Sequence, residues 1–132
     1  MSWQDWVVGS SGLINDSSDI ISAAIYGQDG TPWASESLNC AKQEILNINN
    51  VFVEPQEARQ IGFSMAGERF KYIREDSEGN HGIIHARNGS QPATLFKTNR
   101  AIVIGIGKPD AVAGKVALAV CRVGEQLTGF NF

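Results

Sequence analysis

The chain has 132 residues, which suits one domain with one core, and its 42% hydrophobic content is too high for a disordered chain. A net charge of −3 argues against a general nucleic-acid binder while leaving room for a local basic patch. No apolar run is long enough to span a bilayer, and Met1-Ser2-Trp3-Gln4 lacks the basic and apolar regions of a secretion signal. A cytoplasmic chain is therefore expected, with Cys40 and Cys121 as reduced thiols.

In chain order, Ser2 can cap a first helix, with Asp5 reaching back from three residues on. Trp3 shares a helical face with Trp6 and Val7. Gly9-Ser10-Ser11-Gly12 weakens that helix, and Asn15-Asp16-Ser17-Ser18 reads as a loop. Residues 20–26 form a mostly apolar strand, covered on both faces. Gln28-Asp29-Gly30 supplies a tight turn, and Trp33 follows on a strand that Pro32 marks as an edge. Ala41, Ile45 and Ile48 fall on one helical face, and Asn49-Asn50 ends that helix. Pro55 opens a second short helix that runs through Gln60.

From Gly62 the texture changes to strands and turns. Phe63 and Met65 precede a turn at Ala66-Gly67, and Phe70, Tyr72 and Arg74 alternate with Lys71 and Ile73. Residues 75–80 read as an acidic turn. Ile83-Ile84 begins a strand that reaches a hairpin signal at Asn88-Gly89. Residues 93–97 and 101–106 pair around Asn99. Asp110 caps a last helix whose stripe is Val112, Val116, Ala119, Val120, Val123 and Leu127, with Cys121 as a small hydrophobe and Gly129 as the stop. The class is α+β: one domain over residues 1–132, built on a central, mostly antiparallel sheet with helices at both ends of the chain.

Catalytic chemistry is not apparent. Four strand residues separate His81 from His85 by roughly 13 Å, too far to share a metal, and both read as surface histidines. Gly105-Ile106-Gly107 lacks the rest of a phosphate loop and reads as close packing. No enzyme activity, cofactor or metal is expected. Binding remains. Trp3, Trp6, Trp33, Phe130 and Phe132 would form one apolar platform if the terminal segments pack beside the first hairpin; otherwise they only seal helix against sheet. Such platforms hold polyproline II ligands, which are already extended and lose little entropy on docking. Lys71, Arg74, His85, Arg87, Lys97, Arg100 and Lys115 make a second, basic set, for which a solvated sheet face is the plain alternative.

Five stretches resemble profilins, in family order. Residues 2–7 resemble their opening helix, and Gly27-Gln28-Asp29-Gly30-Thr31-Pro32-Trp33-Ala34 their first hairpin. Gly62-Phe63 with Phe70-Lys71-Tyr72-Ile73 resembles their middle strands, residues 97–106 their last hairpin, and Val123-Gly124-Glu125-Gln126-Leu127 their closing helix. The resemblance implies that the terminal helices pack together on one face of the sheet, with the short helices on the other. It implies binding of proline-rich proteins such as formins at Trp3, Trp6, Trp33, Leu127 and Phe132. It implies binding of monomeric actin at Lys71, Tyr72, Arg74, His85, Arg87, Lys97, Ala113 and Lys115, with apolar neighbours such as Val116. The implied role is control of actin polymerisation and nucleotide exchange by a cytoplasmic, cytoskeleton-associated protein that is neither an enzyme nor membrane-spanning. The same cations could meet phosphoinositide headgroups. Trp6 and Phe132 stand where Tyr is common in the family, and Gln126 where Tyr or His is. The rival readings are a profilin that keeps the peptide site without actin, and a small-ligand sensor domain with a buried polar cavity.

Overall fold

The computed structural model describes residues 2–9, 12–15, 18–78 and 81–132, with Glu78 through its backbone alone. The elements are α1 (Asp5–Val8), β1 (Ile20–Gly27), β2 (Pro32–Glu36), α2 (Lys42–Val53), α3 (Gln56–Ile61), β3 (Phe63–Met65), β4 (Glu68–Glu78), β5 (His81–Asn88), β6 (Gln91–Lys97), β7 (Ala101–Gly107) and α4 (Ala113–Gly129). The strands lie in the order β2-β1-β7-β6-β5-β4-β3, every neighbouring pair antiparallel. β2 is an edge, as Pro32 implies.

Alternation along the strands feeds two cores. In β7, Ile102, Ile104 and Ile106 join Ile45 and Ile48 of α2 and Ala58 of α3. Ala101 and Val103 face the other way and join Val7 and the α4 stripe Val116, Ala119, Val120, Val123 and Leu127. The α+β expectation holds, with the terminal helices on one face and α2 and α3 on the other. α4 sits close over β6 and β7 because glycines leave it room. A Cβ on Gly105 would meet Val120 Cγ2 at 2.6 Å, and one on Gly107 would meet Val116 Cγ2 at 2.9 Å. Close packing is thus the role of Gly105-Ile106-Gly107.

Several local expectations are corrected. α2 runs on to Val53, past Asn49-Asn50, because Val51 and Phe52 pack on the core and outweigh the weak propensity of Asn. Residues 75–78 belong to β4 rather than a turn; Asp76 pairs with Ile83 and Glu75 with Ile84. The next hairpin turns at Gly89-Ser90, one residue later than expected, since Asn88 is still paired with Gln91. Ser2 does not cap α1, since Gln4 precedes the helix; only the Asp5 half of the box forms, accepting from the Ser2 N–H at 3.1 Å. Asp110 has φ +63° and does not cap α4; Val112 stands there, 57% exposed and off the stripe. Ile21 is likewise exposed, so β1 is covered on both faces only from Ala23. The break at Ser10-Ser11, the loop at Asp16-Ser17 and the turn end at Gly79-Asn80 lie outside the described residues.

The end of α4 has the largest consequence. α4 ends at Gly129, as expected, and the chain after it turns back through Asn131, which takes the left-handed region at φ +68°. Phe132 N–H then donates to Leu127 O at 2.9 Å and Asn131 N–H to Thr128 O at 3.0 Å. These are the two bonds of a Schellman motif, and they fold Phe132 back against the core that contains Leu127.

Candidate functional site

Three remote segments meet at one aromatic cluster. The Trp3 ring lies 4.7 Å from Trp33 and 4.9 Å from Phe132, and Trp33 lies 6.2 Å from Phe132. Phe132 is edge-on to both indoles, an arrangement worth roughly 0.5–1.5 kcal/mol per pair beyond burial. Trp6 pairs with Phe130 at 6.1 Å, and Phe130 is 63% exposed. Leu127 is fully buried under the cluster and supports it rather than lining its surface. All five residues expected at the aromatic site therefore share one core and its rim.

Local chemistry sets the rings. Asp29 Oδ1 accepts from Thr31 N–H at 3.0 Å and Gly30 takes φ +92°, which turns β1 into β2 and delivers Trp33. A Cβ on Gly27 would stand 3.1 Å from Trp33 Nε1, so glycine lets the indole lie over the strand end. Gln4 Nε2 donates to Ser35 O at 3.0 Å and ties the α1 segment to β2. The Phe132 main-chain oxygen accepts from Thr98 Oγ1 at 2.8 Å and from Arg100 N–H. Among the described residues, none of the three indole N–H groups has an acceptor.

The basic set divides. Lys71 pairs with Arg87 across β4–β5, and Arg74 with His85. Both pairs take the side of Ile83, which faces α4. A bulge between Tyr72 and Arg74 brings Arg74 to that side. A hollow of about 140 Å³ joins Arg74, His85 and Arg87 to Ala113 at the start of α4, with Ile73 half exposed at its wall. Lys115 is exposed on the same first turn of α4, outside the hollow. Asp76 pairs with Arg74 and meets His85 Nε2 at 3.0 Å. The His85 bond, helped by Arg74, holds the Asp76 carboxyl below its ordinary range. Burial pushes His85 down, against the pull of Asp76, so its ring is neutral at neutral pH.

Tyr72 and Lys97 lie on the opposite side of the sheet. Tyr72 is buried in the α2–α3 core, and its hydroxyl donates to Glu75 Oε2 at 2.9 Å. Burial and then Glu75 push its pKa up to about 12, while Arg59, 5.9 Å over its ring, also pairs with Glu75. The Lys97 ammonium lies 5.8 Å from the centre of the Phe52 ring, and burial lowers its pKa. The bulge and the α2 contact decide this split, and neither shows in a spacing pattern. Arg100 lies apart again, beside Phe132.

A family model for profilin matches residues 1–132. The chain belongs to the profilin family. Acanthamoeba castellanii profilin II is 28% identical, with a TM-score of 0.85 over 99% of this chain and 100% of that one. Schizosaccharomyces pombe profilin is 23% identical, with a TM-score of 0.83 over 99% and 100%. Mouse profilin IIa is 20% identical, with a TM-score of 0.78 over the whole of both chains. At those identities the last two speak for the fold.

Against this profilin frame, the histidines are less exposed than expected. His81 stacks on Phe96 at 5.9 Å, and the His85 side chain is only 16% exposed. No group of three or more His, Cys, Asp or Glu among the described residues could hold a metal ion. No helix among them is long and apolar enough to cross a membrane. Burial pushes the Cys40 thiol up to about 11, so it stays protonated at neutral pH. Sequence reasoning missed three supports of the aromatic cluster: Gly27, Gln4 and Thr98. It also missed Ile73 as an exposed apolar residue on the cationic side; its strand alternation was readable, but the bulge was not.

Proposed function

We propose that the chain binds proline-rich segments at the Trp3–Trp33–Phe132 cluster and monomeric actin at the α4 side of β4–β5. It would carry actin to proline-rich partners such as formins and influence polymerisation and nucleotide exchange by binding alone, in the cytoplasm and with the actin cytoskeleton. The observation that carries the peptide reading is the meeting of three rings from remote segments with their indole donors free. Aromatic ridges grip proline rings, and indole N–H groups donate to the unpaired carbonyls of a polyproline II chain. Mouse profilin IIa, of the same fold, was solved in complex with a double repeat from the FH1 domain of mDia1, which supports this reading.

The actin reading draws on family membership and on Lys71, Arg74, His85, Arg87, Ala113 and Lys115. Cations at the rim would steer an acidic partner, and Ile73 would supply apolar burial among them. Tyr72 and Lys97 drop out of this set because they face α2 and α3. The same cations would meet phosphoinositide headgroups.

The test is a titration with a proline-rich peptide, read by intrinsic tryptophan fluorescence. The wild type should saturate, while Trp3→Ala and Trp33→Ala lose the signal and keep their far-ultraviolet circular dichroism. A flat titration of folded wild type would overturn the peptide site. A pyrene-actin polymerisation assay tests the second face, and polymerisation unaffected by a peptide-competent chain would overturn the actin reading.

A further inference from the structure

We propose that Thr98 is a positioning residue of the peptide site: its hydroxyl holds the Phe132 main chain, and so the Phe132 ring, against Trp3 and Trp33. The inference rests on the proline-peptide reading above. Thr98 is a polar residue only 3% exposed, in the short turn between β6 and β7. Its Oγ1 accepts from Ala101 N–H at 2.9 Å and donates to the Phe132 main-chain oxygen at 2.8 Å. The hydroxyl has one proton, and the alternative acceptor, Ala101 O, is farther at 3.3 Å. The proton is therefore committed to Phe132.

The same turn also grips the hairpin that carries Trp33. Gln28 Nε2 donates to Thr98 O at 2.8 Å, and Gln28 N–H to Arg100 O at 3.1 Å. One three-residue turn thus holds the Phe132 backbone on one side and the β1–β2 turn on the other. Phe132 stands outside any helix or strand, and its other described main-chain bonds run to Leu127 and Arg100. Both ring contacts of Phe132 are edge-on, at 77° and 75°, so a swing of its backbone would open the cleft between the rings. Nothing in the sequence around Thr98 announces this, because the partner is thirty-four residues away.

The test compares Thr98→Val, which keeps shape and loses the hydroxyl, with Thr98→Ser, which keeps the hydroxyl. Proline-peptide affinity is measured by tryptophan fluorescence, and the indole N–H resonances of Trp3 and Trp33 are recorded by NMR in the free protein. Thr98→Val should weaken binding about fivefold, the loss of one buried hydrogen bond, and should move both indole resonances. Thr98→Ser should stay within about twofold of wild type on the same scale. In a Phe132→Ala background the valine change should add little, because the ring it positions is gone. The inference is overturned if wild type binds and Thr98→Val binds equally well, if the indole resonances stay put, or if the valine penalty persists without the Phe132 ring. Wild type that fails to bind at all overturns the peptide reading itself, a result distinct from each of these.

Discussion

Replacing Gly124 by alanine should destabilise the protein, although it replaces the poorest ordinary helix former with the best. Propensity alone favours alanine by roughly 1 kcal/mol in a helix interior. The site opposes it. A Cβ at position 124 falls on the Phe96 ring, 2.5 Å from Cγ and 2.8 Å from Cε1, with Cδ1 nearer still. Phe96 is fully buried and stacked with His81, so no flexible tip can swing aside. The helix itself would have to lift, and its seat over Gly105 and Gly107 is already close. Overpacking of this kind costs roughly 1–3 kcal/mol. Three ring atoms in conflict put Gly124 at the upper end, for a net loss of about 2 kcal/mol. With a urea m-value of about 1–3 kcal/mol/M, the midpoint should fall by roughly 1 M. Gly114→Ala, on the same helix with nothing within 4 Å of the new Cβ, is the control and should be neutral or stabilised by up to about 1 kcal/mol. If Gly124→Ala proves as stable as wild type, or if both variants shift alike, the packing account of α4 is refuted.

Two further predictions concern charge. The Glu44 carboxylate is partly buried, which would raise its pKa, but the Gly67, Ala41 and Ala66 N–H groups and the Ser64 hydroxyl donate to it and lower it on balance. A depressed folded-state pKa gives stability that is present above the unfolded value, about 4.3, and lost as pH falls through the folded one. The urea midpoint should drop on acidification through that range, and drop less in Glu44→Gln, which at neutral pH should cost about 1–2 kcal/mol; equal pH profiles would count against it. On the cationic side, Arg87→Glu should slow actin association about tenfold at low salt. Lys97→Gln, facing α2, should leave the rate unchanged, and equal losses in the two would contradict the division of faces.

Those two faces show what a sequence can and cannot reveal. Trp3, Trp33 and the pair of Phe residues after α4 were legible as a platform because large aromatics beside turns and chain ends need something to pack on. The strands were legible by alternation and the edge by Pro32. The bulge at Tyr72/Arg74 was not, because a single extra residue reverses the facing of everything after it without changing composition. Lys97 and Arg87 look alike in a list of cations, yet only the pairing register puts them on opposite sides. α4 ends at Gly129, but the left-handed residue that closes it is Asn131, two residues on, where Phe132 returns to the core. Asp110 looked like a cap, but its own left-handed conformation leaves that place to Val112.

The sheet order also decides whether both ligands can be held together. From β2, which carries Trp33, to β5, which carries His85 and Arg87, is four strand steps, about 19 Å at the usual spacing. Helix α4 bridges that span. Its first turn, at Ala113, borders the cationic hollow, while Leu127 and the Schellman turn hold Phe132 at the other end. Seventeen residues at about 1.5 Å each make it about 25 Å long. A proline-rich chain on the aromatic cluster and actin on β4–β5 would therefore occupy opposite ends of one rigid helix. This separation suits a carrier that must hold one partner while presenting it to the other. It also orders the consequences of strain within α4: Gly124 lies within one turn of Leu127, so lifting the helix there should weaken peptide binding before it touches the actin side.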